Sequence, residues 1–231
     1  MLTRKILKEG PGLPIVFLHG FLGTAADWEA VCSFLPPCSC IGFDLPGHGQ
    51  SPFIENFILD IPRFHLVGYS MGGRLALGYA AQHPQQVASL TLMSVHPGLK
   101  TEEERQARLV NDQTWANLLF ELSIDDFLIQ WYNQSVFKPF KPDLSMRKRQ
   151  NIPALAAALT HYSLAKQPCY EIDGVLVGER DTKFRALYPN PVLIPDAGHM
   201  VHLENPKNVS LIIKRRLLWQ QPQQHPQMPS R

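Results

Sequence analysis

The chain has 231 residues, enough for one large domain with a substantial core. Its 22 basic and 20 acidic residues leave a formal net charge of +2 with no basic stripe, so composition gives no footprint for nucleic acid. No apolar run approaches the roughly 18–20 residues of a membrane span, and Met1 to Lys8 carries charge without the apolar stretch of a signal peptide, so a soluble cytoplasmic protein without a membrane partner is expected.

Strand and helix signals alternate through the first half, as a parallel sheet requires. Strands are expected at Ile15–Leu18, Ser39–Phe43, His65–Gly68 and Ser89–Ser94. Helices are expected at Ala25–Leu35 and Met71–His83, with Thr24 as N-cap of the first. The Gly/Pro-rich stretch from Phe43 to Ser51 leaves a strand end, and its Asp44 and His48 read as residues that order the loop. From about Pro97 to Gln167 the strand signals disappear. Thr101 and Glu104 have the spacing of a capping box. Ile124–Tyr132 and Ser145–Lys166 also read as helical, broken by Pro139, Pro142 and Pro153. Strands return at Gly174–Val177 and Pro191–Ile194, and Pro206–Trp219 closes the pattern as an amphipathic helix. Gln220–Arg231 is Gln/Pro-rich, has little to bury and is expected to be disordered. The expected organisation is a core over 1–96, a helical cap over 97–167, a second part of the core over 168–219, and a tail over 220–231.

The most informative stretch is His65-Leu-Val-Gly-Tyr-Ser-Met-Gly-Gly73. An apolar strand runs into Gly-x-Ser-x-Gly and then into a helix, which places Ser70 at the tip of a strained turn. Gly68 and Gly72 flank it because strand and helix approach each other closely there. Asp181 and His199 follow in the chain, each after an apolar run of strand length, in the Ser…Asp…His order of α/β-hydrolases. The residue types suit one chemistry. A serine hydroxyl needs an imidazole to take its proton, and a carboxylate to fix the tautomer and stabilise the imidazolium. Backbone N–H groups of Phe21, in the turn after the first strand, and of Met71 have the right places for an oxyanion hole. His19 reads as a residue shaping that turn.

Other polar clusters carry less. Cys32, Cys38, Cys40 and Cys169 lack the pairing of a disulfide framework or a zinc site. His199-x-x-His202 with Glu204 is not the His-Glu-x-x-His spacing of a helical zinc site, so no metal is expected. Arg74 lies one turn into the elbow helix. Arg108, Arg149 and Lys183 are placed so that they could converge over Ser70 and hold carboxylates, arginine doing so bidentately. On residues alone the chemistry stays open: a triad permits many reactions, among them those of a serine hydrolase (carboxylesterase, thioesterase or carbon–carbon bond hydrolase), and a non-catalytic binding protein is the other class.

Several stretches resemble the menaquinone-pathway family of 2-succinyl-6-hydroxy-2,4-cyclohexadiene-1-carboxylate synthases. They are Gly68-Tyr-Ser-Met-Gly-Gly-Arg-Leu-Ala-Leu77, Pro97 to Arg108 with Asn111-Asp-Gln-Thr-Trp-Ala116, Phe127 to Phe137, Gly178-Glu-Arg-Asp-Thr-Lys-Phe184 and Ala197 to Pro206. The resemblance runs from about Pro14 to Trp219. It implies an α/β-hydrolase fold: a mostly parallel central sheet, helices on both faces and a helical cap insertion. It also implies a lyase that removes pyruvate from a polycarboxylate, with Ser70 acting as base through His199 and Asp181. No metal or organic cofactor is required. Tyr69, Arg74, Arg108, Trp131, Arg149 and Lys183 match positions that the family uses around its substrate. The protein would be a monomer or small homo-oligomer. Ser51–Phe64, Cys169–Asp173 and Arg185–Asn190 are shorter than the family's pattern, which removes outer helices rather than site residues.

Overall fold

The computed structural model describes residues 1–138, 140 and 142–219. The tail expected to be disordered, 220–231, lies outside the described residues, as do Pro139 and Lys141. The strands are β1 (Arg4–Lys8), β2 (Ile15–Leu18), β3 (Cys40–Phe43), β4 (Phe64–Tyr69), β5 (Val87–Met93), β6 (Leu176–Gly178) and β7 (Val192–Ile194). They form one seven-stranded sheet in the order β1-β3-β2-β4-β5-β6-β7. β1 pairs antiparallel to β3, and the other neighbours are parallel. β2 and β3 are buried along their whole length, as their continuous apolar runs require for strands covered on both faces.

β1 is absent from the sequence reading. Three of its five side chains are exposed, so the segment shows basic residues where a buried strand would show an apolar run. Backbone pairing with β3, not side-chain burial, makes it a strand.

The helices are α1 (Glu29–Phe34), α2 (Ser70–Gln82), α3 (Glu102–Glu121), α4 (Ile124–Tyr132), α5 (Ile152–His161), α6 (Thr182–Arg185), α7 (Val201–Glu204) and α8 (Pro206–Trp219). The helix expected at Ala25–Leu35 begins instead as a 3₁₀ turn, Ala25–Trp28. Thr24 stands before it but its hydroxyl makes no cap and is buried without a partner. Asp44 takes that role from the loop after β3: Oδ1 accepts from Ala25 N at 2.8 Å and Oδ2 from Gln50 N at 2.9 Å. Thr101 and Glu104 form the capping box of α3 reciprocally. Pro153 does not break a helix. It occupies the first turn of α5, where its missing N–H costs nothing, and Asn151 caps that turn by accepting from Ala154 N.

From β5 to β6 the described chain holds α3, α4 and α5 and short 3₁₀ turns. Phe127, Leu128, Leu155 and Leu159 join this layer to the core of the sheet. Trp131, Leu159 and Leu164 of this layer line one cavity with Phe21, Ser70, Ser94 and Lys183, which follow the carboxyl ends of β2, β4, β5 and β6, where an open α/β sheet binds its ligands.

Candidate active site

Ser70 opens α2 directly after β4 with φ +49°, in the left-handed region that non-glycine residues avoid. Three glycines permit the turn. A Cβ on Gly68 would meet Gly73 Cα at 2.6 Å, one on Gly72 would meet His19 O at 2.2 Å, and one on Gly73 would meet Val95 Cγ2 at 2.2 Å. Gly68 therefore answers to the start of α2, and Gly72 to the turn after β2. The strain at Ser70 is held by close packing on both sides.

β6 leads through Gly178 to Asp181, whose Oδ1 caps α6 by accepting from Phe184 N at 3.1 Å. Its Oδ2 accepts from His199 Nδ1–H at 2.8 Å. That bond fixes the tautomer and turns the Nε2 lone pair towards Ser70, whose Oγ lies 3.4 Å away. The Asp181 and His199 side chains are 1% and 4% exposed. Phe184, Tyr69 and Phe137 pack around the imidazole, with Phe184 nearest at 4.4 Å between ring centroids. A hydroxyl, an imidazole and a carboxylate thus form one chain of contacts beneath the cap.

Phe21 and Met71 line the cavity beside Ser70. Phe21 N has no backbone partner among the described residues, and Met71 N belongs to the first turn of α2, whose N–H groups lack intrahelical acceptors. His19 shapes the turn that carries Phe21. Its Nδ1–H donates to Gly20 O at 2.7 Å and its Nε2 accepts from Leu45 N at 2.9 Å. Burial pulls its pKa down to about 3, so it stays neutral near pH 7.

Two small lobes meet at Ser70, and Phe21 and Trp131 wall both. Their rings lie 4.8 Å apart. The first lobe, about 110 Å³, is lined by Arg74, Arg108, Lys183 and His96. Arg74 Nη1 donates to Tyr162 O at 2.9 Å. Burial, and then the neighbouring Arg108 guanidinium, push the Arg74 pKa below its ordinary value, while Asp112 opposes them. A guanidinium keeps its proton, so this lobe holds cationic charge that an anion would relieve. Arg108 Nε donates to the buried Asp112 Oδ1 at 2.8 Å. Burial, then Arg108, Lys183 and Arg74 in turn, lower the His96 pKa to about 4.

The second lobe, about 30 Å³, is lined by Tyr69, Tyr132, Asp27 and Arg147. Here the structure departs from the expectation at Arg149. Arg149 is exposed and lines neither lobe, whereas Arg147 is buried. Arg147 Nη2 pairs with Asp27 Oδ2 at 3.0 Å and Nε donates to Tyr132 Oη at 2.7 Å. Both arginines sit in one three-residue 3₁₀ turn, and spacing alone does not tell which faces inward. A wider groove of about 450 Å³ runs along the outer flank of α2 and shares Arg74, but contains none of Ser70, Asp181 and His199.

The His202 ring is buried, with Tyr69 at 4.3 Å and Trp28 at 4.6 Å. No group of three ligand side chains converges among the described residues. Asp112, Asp27, His96 and Arg147 were missed. Of these only Asp112 left a signal, as the i+4 partner of Arg108 on one helix face.

A model of the alpha/beta hydrolase family matches residues 15–210. A 2-succinyl-6-hydroxy-2,4-cyclohexadiene-1-carboxylate synthase of Enterobacter sp. is 35% identical, over 94% of this chain and 96% of its own. A putative synthase of the same name from Haemophilus influenzae is 38% identical, over 88% of this chain and 97% of its own. Among solved structures, MenH from S. aureus superposes with a TM-score of 0.80 at 25% identity, covering 94% of this chain and 98% of its own. An esterase from Thermogutta terrifontis shares the fold at 23% identity and a TM-score of 0.72. Together with the elbow serine, the buried Asp–His pair and the cationic lobe, the identities over almost the full length decide the family: the chain belongs to the 2-succinyl-6-hydroxy-2,4-cyclohexadiene-1-carboxylate synthases of the alpha/beta hydrolase family.

Proposed function

We propose that the protein is a carbon–oxygen lyase of menaquinone biosynthesis. It eliminates pyruvate from 2-succinyl-5-enolpyruvyl-6-hydroxy-3-cyclohexene-1-carboxylate to give 2-succinyl-6-hydroxy-2,4-cyclohexadiene-1-carboxylate. The observation that carries the reading is the sharing of one lobe by Ser70 with Arg74, Arg108 and Lys183. A polyanionic substrate needs such a lobe, and its remote carboxylates supply orientation at the reacting carbon. The neutral substrate of a simple esterase does not.

His199 Nε2 takes the hydroxyl proton of Ser70 while Oγ removes the proton next to the succinyl ketone. The C–H electron pair moves to the ketone oxygen, which becomes an enolate in the hole formed by the Phe21 and Met71 amides. As the enolate collapses, a double bond forms between C2 and C3, the C3–C4 double bond shifts to C4–C5, and the bond from C5 to the enolpyruvyl oxygen breaks. Its electron pair leaves as the enolate of pyruvate, which regains the proton held at His199. Tyr69 and Trp131 wall the reacting centre, and Arg147, in place of Arg149, serves the second lobe. Both lobes are smaller than the roughly 300–1,000 Å³ of drug-sized ligand sites, so this reading requires the site to widen when the substrate enters. The enzyme works as a soluble cytoplasmic protein, as a monomer or small homo-oligomer; among the described residues no helix is long and apolar enough to cross a membrane.

A lactate dehydrogenase-coupled assay on freshly made substrate measures the pyruvate. Stoichiometric release supports the lyase. No release, together with fast turnover of p-nitrophenyl esters, would make the protein a serine hydrolase instead.

A further inference from the structure

His199 is held by more than its ring. It lies in the loop between β7 and α7, and the two peptide N–H groups on either side of it donate to one carboxylate. Gly198 N reaches Glu204 Oε2 at 2.8 Å and Met200 N reaches Glu204 Oε1 at 3.0 Å. The Glu204 backbone N–H donates back to Met200 O at 3.0 Å, which closes the loop into a ring. Position 198 makes room for this contact: a Cβ there would lie 3.2 Å from Glu204 Oε1 and 3.3 Å from Oε2, tighter than ordinary contact. On the far side, the carbonyl of His199 accepts from Ser94 Oγ at 2.8 Å. Ser94 is fully buried at the end of β5 and has φ +47°, so backbone strain is accepted where its hydroxyl meets the histidine.

We propose that Glu204 is a positioning residue for His199, acting through the main chain. Its two oxygens fix the Cα of the histidine between two amides, and Ser94 fixes the carbonyl. The imidazole then has only its side-chain torsions left, and Asp181 sets those. The 3.4 Å gap from His199 Nε2 to Ser70 Oγ must shorten for proton transfer, so a small drift of the loop falls directly on the reacting pair. Misplacement by about 1 Å costs on the order of 10²-fold in rate. The adjacent Asn205 staples the same loop without touching the histidine, since its Nδ2 donates to Pro195 O at 2.9 Å. It supplies a control.

The inference rests on the triad reading but not on the identity of the substrate. The test compares Glu204→Ala, Glu204→Gln and Asn205→Ala for kcat, KM, rate of Ser70 labelling by a fluorophosphonate, and thermal midpoint. Glu204→Gln retains one acceptor and places an NH₂ against the second amide, so it perturbs the loop with little change of volume. Both Glu204 variants are expected to lower kcat and labelling rate by roughly 10–100-fold with KM within about twofold, and to broaden or lose the downfield NMR resonance of the proton between His199 and Asp181. Asn205→Ala is expected to lower the thermal midpoint and leave kcat unchanged. Wild-type kcat, labelling and resonance in folded Glu204→Gln would overturn the proposal, as would an equal loss of kcat in Asn205→Ala. Failure of the triad reading shows separately, as full activity in Ser70→Ala.

Discussion

Arg147→Met tests how the second lobe is built. The Arg147 and Asp27 side chains are 5% and 9% exposed, and their ion pair spans 3.0 Å. Removing the cation leaves Asp27 buried and uncompensated, which costs about 3–5 kcal/mol, whereas replacing both partners by apolar groups is often neutral or stabilising. Tyr132 Oη also loses its donor. At about 2–4 °C per kcal/mol for a chain of this size, the single variant is expected to melt roughly 10 °C lower. Arg147→Met/Asp27→Leu is expected to recover most of that difference. The deficit also depends on pH. Burial raises the Asp27 pKa, and Arg147 is the largest influence opposing it. A raised folded-state pKa means that the folded protein binds the proton more tightly than the unfolded chain. Stability is then complete below the ordinary carboxylate range and is lost as pH rises through the folded pKa. Without Arg147 that loss grows, so the deficit should be larger at pH 8 than at pH 5. Urea unfolding at both pH values measures it. The double variant is expected to regain stability and not activity, because Arg147 lines the lobe that holds Ser70. Wild-type stability in Arg147→Met, or a double variant no better than the single, would show that Asp27 does not depend on Arg147 for its charge.

Arg74→Ala should lose about 2–5 kcal/mol of transition-state binding, since it truncates a carboxylate contact in a desolvated lobe. Lys148→Ala should change kcat/KM little, because Lys148 pairs with Asp125 on the exposed surface; equal small effects would put Arg74 outside the substrate site. Burial lowers the pKa of His19 and His48 to about 3 and that of His202 well below its ordinary value. Lowered folded-state values mean that stability is complete above the unfolded pKa of about 6.5 and is lost as pH falls below it, by about 1.4 kcal/mol per unit for each histidine. A urea midpoint unchanged from pH 7.5 to 5.5 would contradict this. Gly72→Ala drives a Cβ into the carbonyls of His19 and Leu18 and should cost about 1–3 kcal/mol together with most activity. An active, fully stable variant would show that the elbow relaxes freely.

The chain of contacts from Ser70 through His199 to Asp181 was legible because its signals are local. The strand before Ser70 is an apolar run, Gly68 answers to the nearby backbone of Gly72 and Gly73, and Asp181 and His199 each follow a short strand. The cap was harder to read. Whether Arg147 or Arg149 turns inward depends on Asp27 and Tyr132, which come from distant parts of the chain. Pro153 reads as a breaker until Asn151 is seen to cap the turn that contains it. Thr24 has the right residue type for a cap but points into the core, and Asp44 arrives from another loop to do the work. β1 escaped because an edge strand with exposed side chains is specified by its partner's backbone. Glu204 was not legible as part of the site, since nothing in its spacing from His199 shows that a carboxylate folds back onto two main-chain amides.

Pyruvate release by wild type and by Ser70→Ala, followed side by side on the same batch of substrate, puts the account at most direct risk. The expectation is steady pyruvate from the wild type and a loss of at least about 10³-fold in the variant, with thermal midpoints close together. Equal pyruvate from both proteins would mean that the elbow serine does not abstract the proton.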